Sequence, residues 1–450
     1  MFFIRTSKRL ARSTILTVLA LLLIIIAGCS PSQSKGANPT PTPPNDIVIF
    51  PTCRQASCIT PTNGTISSEI RGVRPFIDTL NNIHLFLSFD YKIPHPATIA
   101  SHYDFVWGAD VDNVSAFRSA NPKMFITYYI PFNRDTGSFS DQTATHDLSY
   151  WKSVHPDWIL YKCDRVTPAY VDGEPNIPFD FTNPDVLSWQ VQTYAQPASV
   201  SGYDGIDADN LNLENLSGAC GSYKNGVWVQ RYTGQVDDQQ WITDTITWLT
   251  KMQQALHGLS HPLALIPNLS LAPLTPDDPQ VQVLLKHIDG VLDEGGFTQY
   301  SQGYLTDEKW VQHINFIQAV QAMHKPFYIV NQFPPPSVTT EEIQWALSSY
   351  LMSKENLSAV FISTRQAYGG ESLYLEYNAP IGKPINEMYP DQHVYWRDYS
   401  NGRVVVNPSA TNSYTVSMNV PSGHFVDLYG NHIGQTITLP PHSGIVVLNG

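Results

Sequence analysis

The chain has 450 residues, 42% hydrophobic and 12% aromatic, enough for a sizeable core and too long for one small domain. Only 14% of residues are charged, and the formal net charge is −13. An acidic chain without a basic patch argues against a nucleic-acid partner.

Residues 1–29 read as a processing segment rather than as part of the fold. Arg5, Lys8, Arg9 and Arg12 precede an apolar run from Ile15 to Ile26, which ends in Ala27-Gly28-Cys29. A cysteine directly after Ala-Gly resembles the bacterial lipoprotein processing site. It implies cleavage before Cys29, a lipid on its sulfur, and an exported protein held at the cell surface. The rival is an ordinary N-terminal membrane anchor, for which the run is short against a span of about 20 residues. Removing the four positive charges takes the formal charge to −13 − 4 = −17. Residues 30–61, with Asn38-Pro-Thr-Pro-Thr-Pro-Pro44, read as an extended tether. Four cysteines remain after Cys29. In an exported chain an even count suggests disulfides. Cys53 with Cys58 would close a small loop, and Cys163 with Cys220 would tie two long loops. No C-x2-C spacing or histidine pattern points to a metal.

From Ile83 onward, short apolar runs alternate with helical stretches. The runs are 83–90, 105–108, 123–130, 205–210, 263–268, 290–294, 327–332 and 359–365. Helical spacing and start signals mark Val186–Gln196 after Asn183-Pro-Asp, Trp241–Leu256 after Asp238, Trp310–Met323 after Thr306, and Ile343–Met352 after Thr339. Eight such units predict a (β/α)8 TIM barrel over residues 62–380. A doubly wound open sheet is the alternative, weakened by the lack of a Gly-rich dinucleotide loop. Residues 133–184 exceed a plain βα connection. Their aromatic residues, Trp158 among them, either line a sugar subsite or form a small core of their own. Residues 381–450 predict a small antiparallel β-domain, with a hairpin over 395–406 turning at Asn401-Gly402.

In a barrel of this kind, residues at the C-terminal strand ends converge on one site. Those ends offer Asp90, Asp207, Asp209, Asn268, Asp293, Glu294, Asn331 and Arg365. No Ser-His-Asp order, P-loop or His-rich metal set is present. Carboxylates and amides suit acid–base work on a neutral, hydroxyl-rich substrate, and glycoside hydrolysis needs two carboxyl groups flanking one bond. The strand period of 2 puts Asp207 and Asp209 on one face, with Asp207 a layer deeper. A calcium-like or helix-capping acid cluster is the competing reading of that pair. Asn210 follows as a possible hydroxyl-binding amide. Glu294 is preferred to Asp293 because Gly295-Gly296 behind it would leave room for substrate. Asp90 and Arg365 either bind substrate or cap their strands; Asn268, Asn331 and Trp158 complete the candidate binding set.

The segment Gly202-Tyr-Asp-Gly-Ile-Asp-Ala-Asp-Asn210 resembles the Gly-aromatic-Asp-Gly-x-x-x-Asp motif of bacterial glycoside-hydrolase-like TIM barrels, similar in pattern to endo-α-1,4-polygalactosaminidases. Asp289-Gly-Val-Leu-Asp-Glu-Gly-Gly296 is similar to their sixth-strand segment ending in Glu. The runs Val404–Pro408 and Leu439–Ile445 are similar to glycosidase C-terminal β-domains. The resemblance, over roughly 80–450, implies Asp209 and Glu294 as the catalytic pair, and the acid at Asp207 departs from its usual apolar residue. The expectation is a lipid-anchored hydrolase of poly- or oligosaccharides, monomeric and without a cofactor. Rival readings are a carbohydrate-binding lipoprotein that has lost its chemistry, and a metal-dependent deacetylase or esterase.

Overall fold

The computed structural model describes residues 83–135, 145–170, 176–420 and 424–450. The expected signal, the tether and the Cys53–Cys58 pair lie outside the described residues.

All eight expected runs form parallel strands of one sheet. They are β1 (Phe86–Ser88), β2 (Phe105–Trp107), β3 (Phe125–Pro131), β4 (Gly205–Asn212), β5 (Ala264–Ser270), β6 (Val291–Asp293), β7 (Phe327–Phe333) and β8 (Ser358–Thr364), paired in that order. A parallel bridge between Leu85 and Val360 joins the first strand to the last, with the Val360 amide donating to the His84 carbonyl at 2.9 Å. The sheet is therefore a barrel, and the open-sheet alternative falls. The strands are nearly all buried, as strands covered on both faces must be.

Helices α1 (Pro96–Ile99), α2 (Val111–Ala120), α3 (Pro184–Gln190), α4 (Gln239–His257), α5 (Pro279–Lys286), α6 (Asp307–Ala322) and α7 (Thr340–Ser353) lie between the strands. Most begin where a short polar side chain takes up free backbone N–H groups. Asp110, Asn183, Asp238 and Asp278 do this for α2 to α5, and Thr339 with Glu342 forms a reciprocal box on α7. Thr306 precedes α6 as expected, but its hydroxyl makes no capping bond.

The segment between β3 and α3 builds its own core. Trp151, Trp158, Ile159, Phe179 and Val186 are buried together, and Trp189 packs against them. The strand Tyr161–Lys162 pairs with Ala219–Lys224 of a hairpin that follows β4, and a Cys163–Cys220 disulfide links the two.

After the barrel come β9 (Tyr389–Asp391), β10 (Val394–Tyr399), β11 (Gly402–Asn407), β12 (Tyr414–Ser417), β13 (Phe425–Asp427), β14 (Thr436–Leu439) and β15 (Ser443–Asn449). They form an antiparallel sheet, β9-β10-β11-β15-β13, and a separate β12-β14 pair. The hairpin turn falls one residue earlier than expected, at Ser400-Asn401, because Gly402 pairs with Leu448 and a Cβ there would meet the Val447 carbonyl at 2.2 Å. Arg397 fastens this domain to the barrel. Its buried guanidinium donates to the carbonyls of Leu351, Met352 and Lys354 at the end of α7, and to the Glu355 carboxylate.

Candidate active site

The site is assembled by an irregularity between β4 and β5. The two strands pair regularly up to Ala208 and Pro267, then resume at Leu211 and Leu269. Two residues, Asp209 and Asn210, thus oppose the single residue Asn268. This is a β-bulge, a device that re-aims side chains at barrel rims. Asn210 adopts a left-handed backbone, with φ of 55°. Its amide turns back to Asp209 Oδ2 at 2.9 Å.

Asn268 becomes the bridge of the site. Its Nδ2 donates to Asp209 Oδ1 at 3.0 Å and to Glu294 Oε2 at 2.8 Å. An amide NH2 carries two hydrogens, so one group holds both carboxyls. The Asn268 Oδ1 also accepts from the Glu294 backbone N–H at 3.4 Å. Tyr129 on β3 donates to Asp209 Oδ2 at 3.0 Å. Asp209 therefore receives three side-chain donors. Tyr368, in the turn after β8, hydrogen-bonds Glu294 and in turn accepts from Ser88 Oγ at 2.8 Å.

Glu294 follows β6 directly and keeps partial exposure although protein surrounds it. Burial, then the nearby negative charge of Asp209, push its carboxyl up to about 7; the Tyr368 and Asn268 hydrogen bonds oppose the rise. A carboxyl poised there is suited to give a proton and take it back near neutrality. Asp293 lies beside it with Oδ1 accepting from the Gly295 N–H at 3.0 Å. Its other oxygen is 2.9 Å from His313 Nε2, close enough for an ion pair though off the line of a well-formed hydrogen bond.

The remaining sequence candidates divide clearly. Asp207 does face the same way as Asp209: the one bonds Thr127 and the other Tyr129, two residues apart on both strands. But Asp207 is fully buried, its Oδ2 accepting from Thr127 Oγ1 and from the Gly108 N–H at 2.5 Å. Burial pushes its carboxyl well above the usual range. It lies beneath the site, out of reach of a substrate. Asp90 caps its own region, with Oδ1 bound to the Asp110 N–H and Oδ2 to Asn113 Nδ2, both at 2.9 Å. Asn331 is fully buried and anchors the loop after β6 by accepting from the Phe297 N–H at 3.1 Å. Arg365 is exposed and makes no hydrogen bond or ion pair with the carboxyl pair. Trp158 is no sugar platform: it stacks between Trp151 and His155 inside the small aromatic core. Gly296 does not make room for substrate either. Its φ is 49° and a Cβ would sit 1.8 Å from the Val330 carbonyl, so the glycine lets the loop lie against β7.

Sequence reasoning missed Tyr129 and Tyr368. Tyr129 could have been found as the inward residue of β3 in register with the Asp207–Asp209 face. Tyr368 carries no such signal, since it lies in a turn beyond its strand. Among the described residues no group of three or more His, Cys, Asp and Glu is arranged to hold a metal ion, and no helix is long and apolar enough to cross a membrane.

A (β/α)8 barrel with two carboxyls held together at its strand ends is an arrangement that fits the barrel glycoside hydrolases. The chain belongs to the hypothetical glycosyl hydrolase family 15, whose model matches residues 118–403, more than half of the 450. Membership makes it a glycoside hydrolase acting on carbohydrate. No curated protein matches the sequence. Solved structures that match are a noncanonic maltogenic alpha-amylase from Thermotoga neapolitana, 12% identical over 83% of this chain and 100% of that one with a TM-score of 0.45, and an alpha-amylase from Malbranchea cinnamomea, 11% identical over 83% and 97% with a TM-score of 0.44. At those scores they bear on neither activity nor substrate.

Proposed function

We propose that the protein hydrolyses O-glycosidic bonds of a poly- or oligosaccharide by a retaining mechanism, with Asp209 as nucleophile and Glu294 as general acid and base. One observation carries this reading. A single amide nitrogen touches Asp209 Oδ1 at 3.0 Å and Glu294 Oε2 at 2.8 Å, so these two oxygens lie no more than 3.0 + 2.8 = 5.8 Å apart. Retaining enzymes hold their carboxyls about 5–5.5 Å apart; inverting ones need about 6.5–9.5 Å to admit a water. In the first step an Asp209 oxygen attacks the anomeric carbon, the glycosidic C–O bond breaks, and Glu294 gives its proton to the departing oxygen. In the second, Glu294 takes a proton from water, the water oxygen replaces Asp209 on the carbon, and both carboxyls return to their starting states. Asp207 acts as a positioning residue below Asp209, and Asn268, Tyr129 and Tyr368 orient the pair.

The test is a panel of polysaccharides, with product anomers followed by NMR. The reading predicts hydrolysis with retained configuration. It also predicts that Asp209→Ala and Glu294→Ala each lower kcat by orders of magnitude while the fold persists. Saccharide binding without turnover, or inverted products, would overturn it.

Export and lipid anchoring through Cys29 belong to the same proposal. They are supported by the basic stretch, the apolar run and Ala27-Gly28-Cys29. Metabolic labelling with a fatty acid should mark the protein and fail to mark a Cys29→Ala variant; equal labelling of both refutes the anchor.

A further inference from the structure

A cavity lies apart from the carboxyl pair. It lies in the insertion, where a recess of about 560 Å³ is lined by Lys152, Asp157, Tyr161, Arg165 and Tyr223, among others. That volume is within the range of sites for small molecules, roughly 300–1,000 Å³. None of the residues around Asp209 and Glu294 lines it.

Two features make this more than an accident of packing. The first is rigidity. The Asp164 carboxyl holds its turn closed by accepting from the Val166 N–H, the Thr167 N–H and Thr167 Oγ1 at 2.9, 2.9 and 2.6 Å. Arg165 in that turn has φ of 66°, a conformation a bulky residue adopts only when its surroundings hold it. Tyr223 donates to the Arg165 carbonyl at 3.0 Å. The opposite hairpin turns tightly at Asn225-Gly226, with φ of 51° and 76°. The Cys163–Cys220 disulfide ties these two segments together.

The second is charge. In a chain of net charge −13, Lys152 and Arg165 come from separate segments to one recess, and among the described residues neither is in an ion pair with a carboxylate. Their described contacts are with ring faces, Lys152 Nζ lying 5.7 Å from Tyr161 and the Arg165 guanidinium 5.7 Å from Trp228. Asp157, the acid of the recess, has one oxygen engaged by Asn183 at 3.1 Å. Screening limits the field of distant acids to about 8 Å at physiological salt, so the local balance is set by Lys152 and Arg165 against Asp157 and Asp164, whose carboxyls are already engaged by Asn183 and by the turn's own N–H groups.

We propose that this recess is a second, non-catalytic saccharide site that takes a sugar unit bearing an anionic group. Lys152 and Arg165 pair with the anion, and the Tyr161 and Tyr223 side chains meet the ring. The proposal rests on the reading of the chain as a saccharide-acting enzyme, but its test reads binding without turnover, so loss of one reading leaves the other testable. Calorimetry on the full chain would use trigalacturonate, a sulfated chondroitin-type disaccharide, maltotriose and inorganic sulfate. At least one acidic saccharide should bind, more weakly as salt rises, and a Lys152→Ala/Arg165→Ala variant should bind it about tenfold less tightly or worse, the worth of one lost charge-assisted contact. Unchanged thermal unfolding of that variant, and unchanged cleavage of a short neutral substrate, would show that the fold and the carboxyl pair are intact. Binding of maltotriose as tight as that of the acidic probes, sulfate binding as tightly as the saccharides, an insensitive double variant, or no binding of either acidic saccharide would each overturn it.

Discussion

Replacing Glu294 by Gln should stabilise the protein, and only where the pH is high enough. The wild-type carboxyl is raised from the usual 4.5 to about 7, first by burial and then by Asp209. Between those two values the folded state holds a proton that the unfolded chain has released. Stability therefore falls as pH rises through that window. At 1.36 kcal/mol per pH unit, the ionised folded state is penalised by about 3 kcal/mol once pH exceeds both values. A glutamine is neutral at every pH and can still accept from Asn268 Nδ2. Urea unfolding of both proteins at about pH 5 and about pH 8.5 isolates the ionisation, since effects independent of pH cancel. The gain of Glu294→Gln over wild type should be larger by about 2 to 3 kcal/mol at the higher pH. Equal differences at the two pH values would refute the assignment of Glu294 as a carboxyl protonated by its surroundings.

Other outcomes follow from the same geometry. Wild-type kcat/KM should fall as pH rises through about 7, because the acid must carry its proton. Asp293→Asn removes a neighbouring negative charge that raises Glu294, so the limb should move to lower pH; a limb that stays or rises contradicts this. Asn268→Ala should lower kcat about 10²–10³-fold, as loss of a positioned donor does, and shift the limb upward, because the Asn268 hydrogen bond lowers Glu294. Arg397→Leu takes a donor from the carbonyls of Leu351, Met352, Lys354 and Asn386 and from the Glu355 carboxylate, and should cost about 3–5 kcal/mol by denaturant unfolding.

The barrel was legible because its eight strands are apolar runs separated by helices with readable start signals. Asp209 and Glu294 were legible for a related reason: strand ends in a barrel converge, whatever the substrate. What joins them was not. Asn268 bridges the pair only because β4 carries one residue more than β5 at that level, and a bulge leaves no periodic trace in sequence. Asp90, Asn331 and Trp158 show the opposite failure. Each is the right residue type at the right place, but Asp90 spends its oxygens on Asp110 and Asn113, Trp158 spends its ring faces on Trp151 and His155, and Asn331 is fully buried. Gly296 was read as space for substrate, and the space is filled by the carbonyl of a neighbouring strand. Sequence position tells which residues approach the barrel mouth; only packing tells which remain free there.

The central claim is that Asp209 becomes covalently attached to sugar during turnover. Incubation with a panel of activated 2-fluoro glycosides, acid quenching and mass spectrometry of the peptide containing residues 205–212 tests it directly. The account predicts one sugar on Asp209, formed by the wild type and absent from Asp209→Ala. A sugar found on Glu294 or on any other residue, or turnover of the probe with inverted product and no attachment, would contradict it.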